Sequence, residues 1–217
     1  MSLITCIVVI VLLARLGYLL FKVHFGNNRV MKKRIDPVHT AIIIGSGGHT
    51  TEMLRLLKNV NSCNYSPRLY IVASTDTTSA VKIHELERNY PYGGKVQGTK
   101  YEIVKIPRSR HVGQSYITSM FTTLYSLVFS FPLMIFRRPK LILCNGPGTC
   151  IPICVVAFIM RMLLIIETKI VFVESICRVK SLSLTGKILL IFADEILVQW
   201  PELQEIYKRT KYIGKLV

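Results

Sequence analysis

Residues 41–57, AIIIGSGGHTTEMLRLL, decide the fold of this chain. Four apolar residues stop abruptly at a glycine-rich turn, and the apolar residues beyond the turn recur at helical spacing. The pattern predicts a buried parallel strand, a tight turn and a helix whose first backbone amides face the space above the turn. Such a helix start favours an anion, because its free N–H groups and the helix dipole both attract negative charge.

Five further apolar runs repeat the strand pattern. They are RLYIVAS (68–74), YEIVKIP (101–107), KLILCN (140–145), KIVFVES (169–175) and EILVQW (195–200). Runs that are apolar on both faces and alternate with helical stretches are typical of a parallel sheet covered by helices on each side. The predicted fold is therefore α/β, with a Rossmann-like parallel sheet, and the polar segment 89–100 is predicted to be a surface loop.

An apolar segment of membrane-spanning length, residues 3–21, lies near the N-terminus. It lacks the basic start and the small-residue cleavage site of a signal peptide, which favours an uncleaved anchor. Positive residues follow it directly: Lys22, Arg29, Lys32, Lys33 and Arg34. By the positive-inside rule, the N-terminus lies in the lumen or outside, and the remainder lies in the cytosol. We expect a transmembrane anchor over 1–22, a basic juxtamembrane linker over 23–39 and a globular lobe over 40–217.

Two other segments are apolar enough to raise the same question. Residues 117–136 carry no charge, but a true span there would divide one parallel sheet between the two sides of the membrane. We expect a helix packed on the sheet, with an apolar side resting in the bilayer surface. Residues 151–166 contain Arg161 and are expected to form a core helix.

Composition limits the class of partner. The chain has 217 residues, a formal charge of +16 and 51% hydrophobic residues, which favours a single domain that contacts acidic lipid or an acidic substrate. No zinc-finger spacing or RNA-binding signature is present, so no nucleic-acid partner is expected. The six cysteines lie mostly in apolar runs without metal-ligand spacing, and we expect buried, reduced thiols.

A second glycine turn, Asn145-Gly146-Pro147-Gly148-Thr149, follows the run KLILC and leads into a helix. Both turns are expected at carboxyl ends of parallel strands, on the edge where ligands of such folds bind. Two helix N-termini that converge on one crevice suit a diphosphate. The alternative is that each turn needs glycine only for its backbone conformation.

Several side chains near these turns could carry chemistry. His49 could act as a general base toward a hydroxyl, or it could be structural. Glu174 could accept hydrogen bonds from sugar hydroxyls, cap the following segment or pair with Arg178. Arg108 and Arg110 could complement a phosphate or a lipid headgroup, or they could be solvated.

A dinucleotide site is the competing interpretation of the first turn. Its fingerprint requires a third glycine where this chain has Thr50, although Asp76 could be offered as a ribose ligand. A Walker loop is absent, because Ser181 and Ile188 stand where the pattern requires glycine and Ser or Thr.

The chain also resembles a known family. The residues that carry the resemblance are GSGGHTTEMLRLL (45–57), YSPR (65–68), IPRSR (106–110), CNGPGTCIPIC (144–154), FVESICRV (172–179), LSLTGKIL (182–189), VQWPEL (198–203) and YIGKLV (212–217). They resemble the membrane-anchor subunits of the two-part N-acetylglucosaminyltransferase of dolichol-linked N-glycan assembly. More distantly, Gly-x-Gly-Gly-His resembles the acceptor lobe of the bacterial enzyme that adds N-acetylglucosamine (GlcNAc) to the lipid-linked cell-wall precursor.

This resemblance implies a GT-B glycosyltransferase that is split over two chains. The present chain would be the amino-terminal lobe, would hold the polyprenyl- or dolichyl-diphosphate-GlcNAc acceptor on the cytosolic face of the endoplasmic reticulum membrane, and would be inactive alone. A soluble catalytic partner would supply the UDP-GlcNAc-binding lobe. The length agrees, since a GT-B enzyme needs two such lobes. Inversion without a metal or other cofactor is also implied.

The resemblance further implies roles for single residues. The acceptor diphosphate would be held by Gly45, Ser46, Gly47, Gly48, Thr50, Asn145, Gly146, Pro147, Gly148 and Thr149. His49 would take the proton of the attacking hydroxyl at C4 of the acceptor sugar. The residues expected to dock the partner are Gly214, Lys215, Leu216 and Val217.

One residue departs from the bacterial pattern, which has proline where this chain has Glu52. A carboxylate there would repel a phosphate in the first helical turn, so the acceptor is expected to sit differently. The alternative function is a non-enzymatic tether that only recruits the soluble partner to the membrane.

Overall fold

The computed structural model describes residues 3–26, 36–90, 101–110, 113–146 and 148–215. A parallel sheet of seven strands forms the centre of the lobe, in the order β3-β2-β1-β4-β5-β6-β7. The strands are β1 Thr40–Ile44, β2 Arg68–Ala73, β3 Tyr101–Ile106, β4 Leu141–Asn145, β5 Lys169–Val173, β6 Glu195–Val198 and β7 Thr210–Tyr212. The helices are α1 Leu3–Phe25, α2 Gly48–Lys58, α3 Ser79–Arg88, α4 Tyr116–Arg137, α5 Cys150–Met162, α6 Leu184–Leu189 and α7 Pro201–Ile206.

Two apolar cores lie on the two faces of the sheet. On one face, α2 and α3 pack on β1 and β2 through side chains such as Met53, Leu57 and Ile83. On the other face, the core is built around α5, with Ile153 and Met160 fully buried. Because alternate residues of each central strand enter opposite cores, β1 is buried along its whole length.

The six predicted strands are all present, within one or two residues of their expected bounds. The seventh strand, β7, was not predicted; it pairs with β6 at the sheet edge. The predicted core helix is confirmed as α5, and its Arg161 forms an ion pair with Asp194 at 2.7 Å. This pairing explains how an arginine is tolerated in a buried helix.

Helices α1 and α4 are both long and apolar enough to cross a membrane, judged by length and composition. The expected packing of α4 on the domain is confirmed, since it contacts β3 and α5 and buries Met134 completely. Its other side exposes apolar side chains at helical spacing: Ile117, Met120, Phe121, Leu124, Val128 and Phe136. Whether this side rests in the bilayer remains a prediction.

Some predicted features fall outside the described residues. These are most of the loop at 89–100, most of the basic linker, Pro147, Leu216 and Val217. Three of the six cysteines, at 144, 150 and 154, are buried, and all six are free thiols.

Candidate functional site

The two glycine turns lie side by side. β1 and β4 are hydrogen-bonded neighbours in parallel register, and the chain leaves β1 toward one half of the sheet and β4 toward the other. This is the topological switch point of a doubly wound sheet, where a crevice opens beyond the carboxyl ends of the strands. As expected, both turns lie at the carboxyl edge of the sheet, and the strands that precede them are adjacent.

The helices that begin at these turns have no side-chain cap. Gly47 precedes α2 and Thr149 precedes α5, and neither helix start receives a side-chain hydrogen bond from its N-cap residue. By contrast, Ser115 caps α4 and Ser183 caps α6. A Cβ placed on Gly47 or Gly48 would have no described atom within 4 Å, so the start of α2 is open. Its first amides are free to bind an anion.

Two arginines from the segment after β3 lie near this crevice. Arg108 Nη2 donates to Ser46 Oγ at 2.9 Å, which places a guanidinium at the first turn. Arg110 lies beside the second turn, since its Cβ is 3.9 Å from the position a Cβ on Gly148 would take. The Arg108 guanidinium, predicted only as a candidate, therefore borders the crevice, whereas the Arg110 guanidinium donates to the carbonyl oxygen of Gln114.

His49 connects the two turns. Its Nδ1 lies 3.0 Å from Asn145 Oδ1, and the Asn145 amide Nδ2 donates to Glu52 Oε2, also at 3.0 Å. Ser175, which follows β5, donates its hydroxyl to the other Glu52 oxygen at 2.7 Å. The ring packs on Gly146, where a Cβ would come within 2.4 Å of His49 Cγ. No described residue hydrogen-bonds Nε2 of His49.

This network changes the acidity of its members. The Glu52 carboxylate, 3.7 Å from Nδ1, raises the pKa of His49, against the lowering effect of partial burial. Burial alone would raise the pKa of Glu52, but the nearby His49 ring and the hydrogen bonds from Asn145 and Ser175 outweigh it and lower that pKa. Glu52 is therefore ionised at neutral pH, and both of its oxygens accept hydrogen bonds within the protein.

Two other predicted site residues, Thr50 and Glu174, use their side chains in hydrogen bonds within the protein. The hydroxyl of Thr50 is buried and donates to the carbonyl of Gly45, so it stabilises the turn from inside. Glu174 is 1% exposed, and its carboxylate accepts from the backbone N–H groups of Ser175 and Ser183. Of the roles open to Glu174 in the sequence, the structure thus displays the capping role.

The dinucleotide interpretation loses its ribose ligand, because Asp76 accepts hydrogen bonds from Thr78 N and Ser79 N at the start of α3. In the part of the chain that is described, no cluster of three His, Cys, Asp or Glu side chains is placed to hold a metal ion.

The tail lies away from the crevice. Gly214 and Lys215 follow β7, which is separated from β4 by two strands. The Lys215 ammonium lies 4.4 Å from the centre of the Trp200 ring. Gly214 and Lys215 therefore lie at the β7 end of the sheet, away from the two glycine turns.

Glu52 and Ser175 are the site residues whose positions sequence reasoning did not find. The spacing of His49 and Glu52 was a signal, because residues three apart share a helix face. No sequence signal indicated Ser175, because its contact with Glu52 joins residues 123 positions apart in the sequence.

Comparison with known proteins identifies relatives of the whole lobe. Residues 40–216 match a family described as oligosaccharide biosynthesis protein Alg14 like. The chain is 49% identical over 184 residues to the mouse UDP-N-acetylglucosamine transferase subunit ALG14, covering 84% of each chain. It is 51% identical over 178 residues to the human subunit of the same name, covering 81% of this chain and 82% of the relative.

A solved structure supports the fold. Acinetobacter baumannii MurG superposes with a TM-score of 0.55 at 15% identity, over 81% of this chain and 45% of MurG. The chain thus spans about half the length of that neighbour. The predicted fold, a Rossmann-like lobe of the GT-B class, is confirmed.

Proposed function

This chain belongs to the Alg14-like family and is a glycosyltransferase subunit, and we propose from this premise that it forms the membrane-anchored, acceptor-binding half of a two-chain enzyme. The enzyme transfers GlcNAc from UDP-GlcNAc to dolichyl-diphosphate-GlcNAc, the second step of lipid-linked oligosaccharide assembly. A soluble partner subunit binds UDP-GlcNAc. The relatives are named as subunits of a UDP-N-acetylglucosamine transferase, which supports both the donor and the need for a partner.

The observation that carries the proposal is the crevice between β1 and β4. Two uncapped helix starts and the Arg108 guanidinium lie there, a combination that favours a diphosphate. His49 lies between the two turns with Nε2 available. In the proposed reaction, Nε2 takes the proton of the C4 hydroxyl of the acceptor sugar. That oxygen bonds to the anomeric carbon of GlcNAc as the bond to UDP breaks, with inversion.

The placement of Glu52 reduces the repulsion expected from the sequence, because both of its oxygens are turned toward hydrogen-bond donors. Its side chain is 11% exposed, and its two oxygens face Asn145 and Ser175. A diphosphate at the amides of α2 would therefore meet a carboxylate whose two oxygens already accept hydrogen bonds.

Membrane anchoring is the second part of the proposal. Helix α1 is about 34 Å long at 1.5 Å per residue, enough to cross a hydrocarbon core of about 30 Å. Near its C-terminal end, Leu19 and Val23 are buried, and α1 contacts α5. With the N-terminus lumenal, this end and the lobe lie at the cytosolic surface of the endoplasmic reticulum, and residues 1–22, 23–39 and 40–217 act as anchor, linker and lobe.

The decisive experiment replaces His49 by alanine in the full chain, reconstituted with its soluble partner. Transfer of GlcNAc to a short polyprenyl-diphosphate-GlcNAc is measured at saturating donor. We expect kcat to fall by about 10²–10⁴-fold, the usual contribution of a general base, with partner binding retained. His84→Ala is the matched control, because His84 is exposed and bonded to Tyr101. Full turnover in the His49 variant would show that another group takes the proton.

A second pair of variants tests the diphosphate site. Gly48→Asp and Gly148→Asp each add a carboxylate at one uncapped helix start, and neither position has a left-handed backbone. The KM for the acceptor should rise by about tenfold in each, equivalent to about 1.4 kcal/mol of lost binding. If acceptor affinity is unchanged in both and His49→Ala is active, the chain is a tether. A substantial rate for the chain without its partner would contradict the two-chain assignment.

A further inference from the structure

The hydrogen-bond directions around Glu52 determine which nitrogen of His49 carries its proton. An ionised carboxylate only accepts hydrogen bonds, so the Asn145 side-chain nitrogen, a donor, must face Glu52 Oε2. The Asn145 oxygen then faces His49 Nδ1 at 3.0 Å, and Nδ1 must donate to it. In the neutral imidazole, the lone pair is therefore on Nε2.

Each member of this chain of contacts is held from a different part of the sheet. Glu52 belongs to α2 after β1, Asn145 ends β4, and Ser175 follows β5. Asn145 and Ser175 are 2% and 5% exposed, whereas the His49 side chain is 33% exposed. The buried groups thus form a support beneath a ring that stays accessible.

We propose that Glu52 and Asn145 are positioning residues for His49, which fix its tautomer and ring orientation, and that Ser175 holds Glu52 in place. The inference rests on the proposed role of His49 as the base, and it assigns the carboxylate a function in the reaction. A hydroxyl, a base that takes its proton and a third group that orients the base form a common arrangement for proton abstraction.

The charge on Glu52 gives this proposal a measurable signature. The other charged group that acts on His49 is Glu174, and Arg108 is bonded to Ser46 of the same turn. Glu52 is the main cause of the raised pKa of His49. Glu52→Gln keeps the size and the hydrogen-bonding oxygen but removes the charge, so the pKa of His49 should fall. Because the base acts when neutral, the acidic limb of the kcat profile should move to lower pH.

The test compares Glu52→Gln and Asn145→Ala in the detergent-solubilised complex of the full chain and its partner. Glu52→Gln should lower plateau kcat by about tenfold through a weaker base and shift the acidic limb to lower pH. Asn145→Ala should lower kcat by about 10²-fold at every pH, because the ring is no longer oriented, with little change in acceptor KM. Glu85→Gln, an exposed carboxylate on α3, is the control.

Histidine NMR separates this proposal from the assignment of the base. The His49 signal, identified by its loss in His49→Ala, should report the Nδ1–H tautomer and a pKa that falls in Glu52→Gln. An Nε2–H tautomer, or a His49 pKa unchanged by Glu52→Gln, would overturn the positioning role even if His49→Ala is inactive. A rise in acceptor KM without loss of kcat in Asn145→Ala would instead make Asn145 a ligand of the diphosphate and would also overturn it.

Discussion

Replacing Gly146 by alanine tests how closely the second turn holds the His49 ring. Gly146 has φ +91°, and an added Cβ would lie 2.4 Å from His49 Cγ and 2.5 Å from Nδ1. Ordinary contact begins near 3.4 Å, so the ring must move by about 1 Å. A displacement of about 1 Å in a catalytic group costs about 10²-fold in rate. The positive φ adds about 1–2 kcal/mol of backbone strain.

The control for this change is Gly113→Ala. Gly113 also has a positive φ, of +77°, but a Cβ there meets no described atom within 4 Å. Backbone strain alone should therefore cost each variant about 1–2 kcal/mol of stability, or about 2–8 °C in Tm for a lobe of this size. Only Gly146→Ala should lose turnover.

The assay is kcat for GlcNAc transfer by the reconstituted pair at saturating donor and acceptor, alongside thermal unfolding in detergent. Wild-type turnover in Gly146→Ala, with the expected loss of Tm, would mean that the ring position does not matter to the reaction. Equal losses of turnover in the two glycine variants would mean that backbone strain alone, and not the contact with His49, explains the effect.

Three other outcomes are expected. Glu87→Gln should destabilise the lobe by about 3–5 kcal/mol in urea unfolding, because it leaves Arg68 buried without its ion-pair partner at 2.5 Å. Activity per folded complex should persist. A loss of stability below about 1 kcal/mol would contradict this expectation. Turnover should fall as acid protonates His49, and because its pKa is raised, the midpoint should lie above 6.5; a midpoint below that value would count against His49 as the base. A chain lacking residues 1–34 should still float with anionic vesicles, and Phe121→Glu should release it; a fully soluble truncated chain would remove the lipid contact of α4.

The fold was largely predictable because its strands are buried on both faces. Runs such as residues 41–44 and 170–173 are continuously apolar, so the number and direction of the strands follow from the pattern alone. β7 was not predicted, because this edge strand has only three residues, TKY, of which only Thr210 is fully buried and one is a lysine. The order of the strands in the sheet could not be predicted either, since the apolar pattern of a strand does not indicate which other strand pairs with it.

The site was predictable in its backbone but not in its side-chain network. Glycine turns before helices indicate anion sites whichever strands carry them, so both turns were identified. The sequence supplied the charge of Glu52 but not its direction, and a carboxylate in the first helical turn was therefore expected to face the diphosphate. The structure turns it toward Asn145, 93 residues away in sequence, and such a contact depends on strand order.

Strand order also places the start of α4 beside the crevice. β3 runs parallel to β1 and β4, so α4, which follows it, begins at the same sheet edge as the two glycine turns. Its exposed apolar side chains start at Ile117, seven residues after Arg110 at the second turn. An acceptor with its diphosphate in the crevice could therefore pass its polyprenyl chain directly to the surface of α4. A water-soluble diphosphate would gain nothing from this adjacency, so it favours a lipid-linked acceptor whose chain stays in the bilayer while its sugar reaches His49.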